Sequence, residues 1–564
     1  MRILIVGGYG TFGGRLVELL ESDARLTLLV AGRSATAAQA YCACRTGAQA
    51  QLLPTVFDRA LADRPQLAAL QADLLVDASG PFQAYGPQGY GLVELCIASG
   101  VNYLDLADGS DFVAGVARFN DAARAAGVFV LSGVSSFPVL SAAVVRQLAK
   151  GMSGVRGIRG GIAPSPYAGV GLNVIRAIAS YAGQRIALRR GGATAPGWPF
   201  TESEKFVVAV PGRVPLRRLR FSLVDVPDLR VLPDLWPQAT DVWMGAAPVP
   251  ASLHRALTLM AWLVRLRLLR NLSWLPRIMH WVTNHFRWGE HRGGMFVVVS
   301  GEGPDGPLVR EWHLLAEGND GPLIPSMGAQ AVIGKVLDGN SPPPGARTAM
   351  PDIHLGDYEK LFAQRTIYTG TRQRLPLARQ PLFHRILGDA WDQLPAAVRR
   401  LHGVTSRSTF TGTCTVRRGH QPLAMLAAAL IGFPRSGAGQ DISVDLSVEA
   451  DAEHWVRTIG GRRFSSVLRQ GRGRSEWLMR ESFGPITVDI ALLLDNGCLR
   501  YIVRGWTLFG IRLPRWLAPR STALESGAEG KFSFDVTIGH PLTGVIVQYR
   551  GLLTEATTAR PTDL

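Results

Sequence analysis

The N-terminal third alternates short apolar, β-branched runs with Ala/Leu-rich stretches of helical period. Arg2–Val6, Leu26–Ala31, Leu74–Ala78, Tyr103–Leu106 and Val128–Leu131 read as strands. Thr11–Ser22, with Leu16, Leu19 and Leu20 on one stripe, reads as a helix, as do Gly91–Ser99 and Phe112–Ala126. Strands separated by helices predict a parallel sheet covered on both faces, an α/β Rossmann-type doubly wound fold over residues 1–135. The texture then changes. Over 136–330, Gly, Pro and Arg punctuate shorter runs. Phe296–Ser300 and Val309–Leu315 look like paired antiparallel strands, so this stretch predicts an inserted α+β domain for substrate or dimerisation. A return helix at Met327–Leu337 and the breaker Ser341–Gly345 lead into a linker, together 331–378.

From 379 to 564 the pattern becomes helical Leu382–Leu387 and Ala390–Leu401, then many short strands. These are Ser408–Val416, Ile442–Val448, His454–Ile459, Ile486–Leu494, Leu499–Val503, Lys531–Ile538 and Gly544–Leu552. Such spacing predicts a β-rich C-terminal domain, with a cup for a small apolar ligand as one use for it.

One motif carries chemistry. Gly8-Tyr9-Gly10-Thr11-Phe12-Gly13 is G-x-G-x-x-G, placed between the first strand and the first helix. That is the context of a dinucleotide fingerprint. In this reading Gly7 is among the cofactor-binding residues, Gly8 allows the tight turn, Gly10 lets the backbone approach a pyrophosphate, and Gly13 lets the helix pack on the strand. The alternative is a glycine-rich turn without a ligand. Arg33 and Ser34 follow the second strand where an NAD site usually places an acidic residue. A guanidinium there suits a 2′-phosphate, which favours NADP and leaves NAD as the alternative. Ala78-Ser79-Gly80-Pro81 lie just past a strand's C-terminal end, where open α/β sheets bind ligands.

These residues, with Arg33 after Ala31-Gly32, Phe82 and Tyr85-Gly86 after Pro81, and Cys96–Leu106, resemble the saccharopine dehydrogenase-like family. Gly133–Pro138 falls at that family's glycine-proline loop, and Asp320–Pro325 and Asp352–Tyr358 are similar to the end of its oxidoreductase region. The remainder resembles an uncharacterised domain found fused to such regions. The resemblance implies a nicotinamide-dependent oxidoreductase acting on a small molecule, with imine, carbonyl and lipid-like substrates open, and a homodimer as one state of assembly. Ser135 and Ser136 stand where relatives often carry an aspartate, which argues against an amino-acid substrate. A non-catalytic NADP(H) sensor is the competing reading. No catalytic acid or base can be assigned. Asp105, Asp108, Asp111, Tyr85, Tyr103 and Ser135 are the candidates, with turn and cap roles as the alternative.

Composition changes the picture in two places. The 564 residues carry a net charge of +16, which raises nucleic acid as a partner. Residues 1–150 hold 11 basic and 12 acidic residues, however, and only five of the 60 basic residues are lysine. The excess is dispersed and Arg-biased, with no zinc-finger or RNP-type motif, so no nucleic-acid partner is expected. Its one dense stretch is Ser252–Trp288, where Trp262, Trp274, Trp281 and Trp288 alternate with arginines and leucines. This suits peripheral contact with an anionic membrane, a lid over an apolar pocket, or an ordinary hairpin with snorkelling arginines. Five cysteines make neither a disulfide framework nor a metal site, and no leader or membrane-spanning run is read at the N-terminus. A cytoplasmic protein, peripheral at the inner membrane surface in the membrane reading, is the expectation. Arg457–Arg474 reads as a basic loop, and Asp451-Ala452-Glu453-His454 as a strand edge with both carboxylates on one face.

Overall fold

The computed structural model describes residues 1–85, 89–248, 250–373 and 380–556. The chain divides into two compact units. One comprises Met1–Phe206 and Leu219–Tyr368, the other Val207–Arg218 and Thr369–Leu564.

The first unit opens with the strands β1 (Arg2–Val6), β2 (Thr27–Gly32), β3 (Gln51–Val56), β4 (Leu74–Asp77), β5 (Asn102–Asp105) and β6 (Phe129–Ser132). Helices α1 (Thr11–Leu20), α2 (Ala35–Ala43), α3 (Arg64–Leu70) and α4 (Gly91–Ser99) connect them. With Gly345–Thr348 they form a seven-stranded parallel sheet in the order Gly345–Thr348, β6, β5, β4, β1, β2, β3. Ile3, Leu4 and Ile5 and their neighbours Leu28, Val30, Leu74, Leu75 and Val76 are fully buried. Both faces of the central strands are covered, so they read as continuous apolar runs.

Three parts of this sheet escape the hydrophobic pattern. The edge strand β3 contains Pro54 and mixes exposed and half-buried positions with one buried residue, Thr55, so it lacks a buried run. The expected helix Phe112–Ala126 is three short pieces, Ser110–Gly115, a 3-10 turn and Asn120–Ala125. Gly345–Thr348 lies in the stretch read as linker. It pairs parallel with β6 and is followed by the helix Leu355–Phe362. Residues 374–378 of that stretch lie outside the described residues.

The inserted region builds a second, mixed sheet. Its order is Ser203–Phe206, Leu219–Leu223, Asp241–Ala246, Gly154–Ala163, Arg292–Gly303, Gly306–Glu317 and Ile367–Gln373. Arg292–Gly303 and Gly306–Glu317 pair antiparallel as the sequence suggests. The helix read at Met327–Leu337 spans Ile324–Leu337.

In the second unit, ten of eleven antiparallel strands close a barrel. The closing pair is Ile486–Asp495 with Cys498–Leu508, and the short Ile511–Arg512 hangs on the latter. Arg462–Gln470, read from sequence as part of a basic loop, is one of the barrel strands. Arginines at alternate positions face out while Phe464, Ser466 and Leu468 are buried. The helix Pro422–Ile431 and the strands Met479–Phe483 and Arg520–Ala528 were also not legible. Glu453 is buried and accepts a 3.2 Å hydrogen bond from the Trp455 indole, Asp451 is a turn residue outside the strand, and His454 is half-buried.

Candidate functional site

The C-terminal ends of β1, β2, β3 and β4 open into a cleft of about 620 Å³. Parallel strands point their carboxyl ends and the following helix N-termini to one edge, so this is where a sheet of this kind can bind an anionic ligand. Of the residues singled out from sequence, Gly7, Tyr9, Gly10, Thr11, Phe12, Arg33, Ala78, Ser79, Gly80 and Pro81 line it.

Each glycine has its own job. Gly7, not Gly8, holds the left-handed turn conformation, with φ +77°. Gly8 is glycine because of packing: a β-carbon there would sit 2.8 Å from the Ile5 carbonyl oxygen and 3.0 Å from Val30. Gly13 lies against the Gly7 carbonyl, so helix α1 can approach the turn. Gly10 precedes the helix and carries no side-chain cap. Within 4 Å a β-carbon on it would meet only Gly7 atoms, 3.0 Å away at the nearest. The side facing the cleft is therefore open, and the first-turn N–H groups of α1 lack partners within the helix. This cradle fits a pyrophosphate.

Arg33 is exposed on the cleft wall and, among the described residues, makes no ion pair. It is available to a 2′-phosphate. Ser34 lies off the wall: its hydroxyl oxygen accepts from Ala37 N at 3.2 Å and caps α2, while its own N–H donates to the Tyr9 hydroxyl at 3.0 Å. Tyr9 thus bridges the glycine turn and the end of β2.

A polar network not legible in the sequence lines the other side. Asp77, fully buried at the end of β4, accepts from Ser79 Oγ at 2.5 Å and lies 3.5 Å from Arg59. Ser79 Oγ is also 2.8 Å from the Tyr85 hydroxyl, and the Arg59 guanidinium sits 3.4 Å from the centre of the Tyr85 ring. Burial pushes the Asp77 carboxyl up against the opposing pull of Arg59, and burial raises the Tyr85 phenol well above its usual range. Phe57–Ala60, after the unrecognised β3, complete this wall.

Asp108, Ser135, Leu106 and the segment Gly171–Val174 form the remaining wall. Asn173 Nδ2 donates to the Gly80 carbonyl at 2.9 Å and Arg15 to that of Ala168 at 2.8 Å, tying the inserted region's loop over the nucleotide cradle. Asp108 accepts from Gln83 Nε2 at 3.1 Å. Desolvation raises its carboxyl, with Asp225 adding repulsion.

The other sequence candidates separate. Tyr85 and Ser135 line the cleft. Asp105 and Tyr103 are fully buried beneath it. Asp105 accepts from Gly133 N at 2.7 Å, Ser132 Oγ at 3.0 Å and Ala107 N at 3.0 Å, and burial pushes it up to about 7. It braces the chain where it leaves β5 and β6. Asp111 is exposed and pairs with Arg230 at 2.7 Å. Gly86 lies outside the described residues.

Residues 3–131 match the family model of the saccharopine dehydrogenase NADP binding domain, and residues 394–553 match a domain of unknown function, DUF4166. The N-terminal domain is thus of the NADP-binding type, with NAD a further option, fused to an uncharacterised domain. No curated protein matches the chain at a significant level. Among solved structures, GenD2 from gentamicin A biosynthesis, in complex with NAD, is 15% identical with a TM-score of 0.30, covering 67% of this chain and 97% of that one. An engineered D-amino acid dehydrogenase bound to NADP+ is 14% identical with a TM-score of 0.32, covering 62% and 93%. The WlbA dehydrogenase from Thermus thermophilus, with NAD and α-ketoglutarate, is 13% identical with a TM-score of 0.28, covering 61% and 90%. Likeness at this level carries no argument about substrate.

Proposed function

We propose that this chain, whose N-terminal domain is of the saccharopine dehydrogenase NADP-binding type, is an NADP-dependent oxidoreductase acting on an uncharged carbonyl, imine or lipid-like small molecule. One observation carries the reading: a single cleft joins the open Gly10 cradle and unpaired Arg33 to a proton-bearing wall of Asp108, Tyr85 and Ser135. When bound, NADPH supplies a hydride to the carbonyl or imine carbon. Arg33 pairs with the 2′-phosphate and the start of α1 receives the pyrophosphate. Asp108, held towards its neutral form by burial, gives a proton to the substrate oxygen or nitrogen. The apolar side chains Phe82, Leu106, Leu172 and Val174 keep water from that end and favour a substrate without charge.

The test has two steps. Fluorescence titration with NADPH and NADH establishes binding, and oxidation of NADPH is then followed over ketones, imines and enoyl lipids. Saturable NADPH binding with no turnover on any class would favour the sensor reading. Absent NADPH binding would remove both.

A second observation extends the reading to a surface. The stretch 252–288 folds as two helices, Ala251–Arg265 and Pro276–His285. Their inner side packs Leu257, Ala261, Val264 and Leu272 with Ala179 and Phe200. Their outer side leaves Leu266 61%, Trp274 58% and Trp281 54% exposed. Phe286 and Trp288 are exposed beside them. Exposed Trp and Leu among arginines favour peripheral attachment to an anionic membrane. No helix of the described residues is long and apolar enough to cross a membrane. Asn284 at the end of the second helix donates to the Val170 carbonyl at 3.3 Å, next to the cleft-lining Gly171. A substrate drawn from the membrane would fit that placement.

A further inference from the structure

The closed barrel of the second unit has an interior that ordinary packing does not explain. One end of the ring is formed by the turns 449–452, 470–479, 495–498 and 528–531. The helices Leu382–Leu387 and Ala396–His402 plug that end: Phe383, Val398 and Leu401 join the barrel core, and His402 stacks on Phe383 with centroids 3.7 Å apart. The opposite end, at the turns 459–462, 483–486, 508–511 and 540–544, carries exposed apolar groups instead. Phe509 and Trp516 lie there, and Leu430 lies on the helix Pro422–Ile431 that joins two strands at this end.

Between the two ends the lumen keeps about 100 Å³ of unfilled space. Its walls are mainly apolar, yet Arg457, Glu481 and Glu525 face it. Arg457 lies 3.4 Å from Glu481 and donates to Ser466 Oγ at 2.9 Å, and Ser466 donates to Glu481 at 2.7 Å. Deeper, His402 Nε2 meets Glu525 at 2.6 Å beside the half-buried Tyr501. Burying charge costs free energy that an apolar core of equal volume would avoid. Ion pairs beside an unfilled cavity are therefore better explained as recognition groups than as stabilisers.

We propose that the lumen is a binding site for a small apolar molecule bearing one uncharged hydrogen-bonding group, a hydroxyl or carbonyl. The charges decide the head group. Arg457 is balanced by Glu481, and Glu525 is a second carboxylate on the wall, so a carboxylate entering here meets two like charges and no surplus cation. Arg457 has five N–H donors and two named acceptors, which leaves donors for a neutral oxygen. The size decides the rest. An apolar cavity of roughly 150 Å³ accepts a benzene-sized ligand, so the about 100 Å³ here holds the head group and first few carbons of a chain, whose tail runs out through the mouth past Ser521 and Ile538.

The full-length chain is tested by saturation-transfer NMR with 1-heptanol, 2-heptanone and heptanoate. Heptanol and heptanone are expected to bind saturably, unaffected by excess NADPH, with heptanoate weaker by about tenfold or more. Val536→Trp inside the lumen and Ser521→Trp at its mouth should each weaken heptanol binding by about tenfold or more. The double variant Arg457→Leu/Glu481→Leu, which removes both charges together, should weaken heptanol binding by about tenfold by removing the donors to its oxygen, and should leave heptanoate the weaker ligand because Glu525 stays on the wall. The proposal is overturned by an absence of saturable binding, by displacement with NADPH, or by heptanoate binding as tightly as heptanol. Binding unchanged in a folded tryptophan variant overturns it as well. If Val536→Trp does not fold, Ser521→Trp and the head-group comparison on the wild-type chain decide.

Discussion

Gly13 packs so closely on Gly7 that a β-carbon on the first would collide with the carbonyl oxygen of the second. The contact fixes the distance between the turn after β1 and the first turn of α1, and so sets the width of the phosphate cradle. Both groups belong to rigid backbone, and neither can step aside. Gly13→Ala should destabilise the domain by roughly 1–3 kcal/mol and remove measurable NADPH binding. Thermal denaturation and fluorescence titration check the two effects. A variant with wild-type affinity would show that the cradle is not where the cofactor sits.

The sequence reading found this cradle because its spacing forces the geometry. Three glycines between a strand and a helix leave few other structures. It placed the tight turn on Gly8, whereas the positive φ is at Gly7, and Gly8 answers to Ile5 and Val30. The opposite wall stayed hidden for a related reason. Arg59, Asp77, Ser79 and Tyr85 meet through tertiary contacts, and Arg59 follows an edge strand whose Pro54 and half-exposed positions mask its period. In the barrel, the Arg462–Gln470 strand read as part of a basic loop because charge was taken for solvation. Alternation, with Phe464, Ser466 and Leu468 inward, was the signal available.

Arg33 separates the two nicotinamide cofactors. Its guanidinium is exposed on the cleft wall and holds no carboxylate among the described residues, so replacing it removes nothing structural. A charge-assisted hydrogen bond contributes about 1.5–3 kcal/mol. Arg33→Asp should therefore weaken NADPH by roughly tenfold or more and leave NADH unchanged or tighter. Paired titrations check this. An unchanged NADPH-to-NADH ratio would place the 2′-phosphate elsewhere.

Asp108 is half-buried on the cleft wall, and burial and Asp225 both raise its carboxyl. On a substrate that turns over, Asp108→Asn should lower kcat by a factor on the order of 10²–10⁴ with little change in NADPH affinity. Because the acid form acts, wild-type kcat should fall as pH rises through the raised value, and the variant should lose that limb. A variant that keeps both kcat and the limb would assign the proton to Tyr85 or Ser135.

The exposed aromatic face of 252–288 makes the membrane reading measurable. Trp274 and Trp281 are more than half exposed and each makes little contact with the core, so replacing them should leave the fold intact. Trp274→Ser/Trp281→Ser should reduce co-sedimentation with vesicles rich in anionic lipid by about tenfold, with an unchanged melting temperature. Wild-type binding should also weaken as salt is raised, because the arginines contribute through screened charge. Equal partitioning of both forms would assign the hairpin to packing alone.

Asp105 gives the first unit a pH dependence with a definite sign. It is fully buried, and its desolvation outweighs the hydrogen bonds from Gly133, Ser132 and Ala107, so its carboxyl is pushed up to about 7. In the unfolded chain the same group titrates at its ordinary value of 3.8. The folded state therefore binds this proton more tightly. The associated stability is fully present below the unfolded value and is lost as pH rises through the folded one. Asp105→Asn keeps an oxygen that can accept from Gly133 and Ser132 but carries no charge to desolvate. The melting temperature of the variant, relative to wild type, should rise between pH 5 and about pH 7 and level off above it, by a few degrees for each ~1 kcal/mol. Asp228 is pushed up to about 7 by the same burial and would add to the wild-type slope without altering the difference between the two proteins. A difference that does not change over this range would mean that Asp105 is charged in the folded state, with its three donors outweighing its burial.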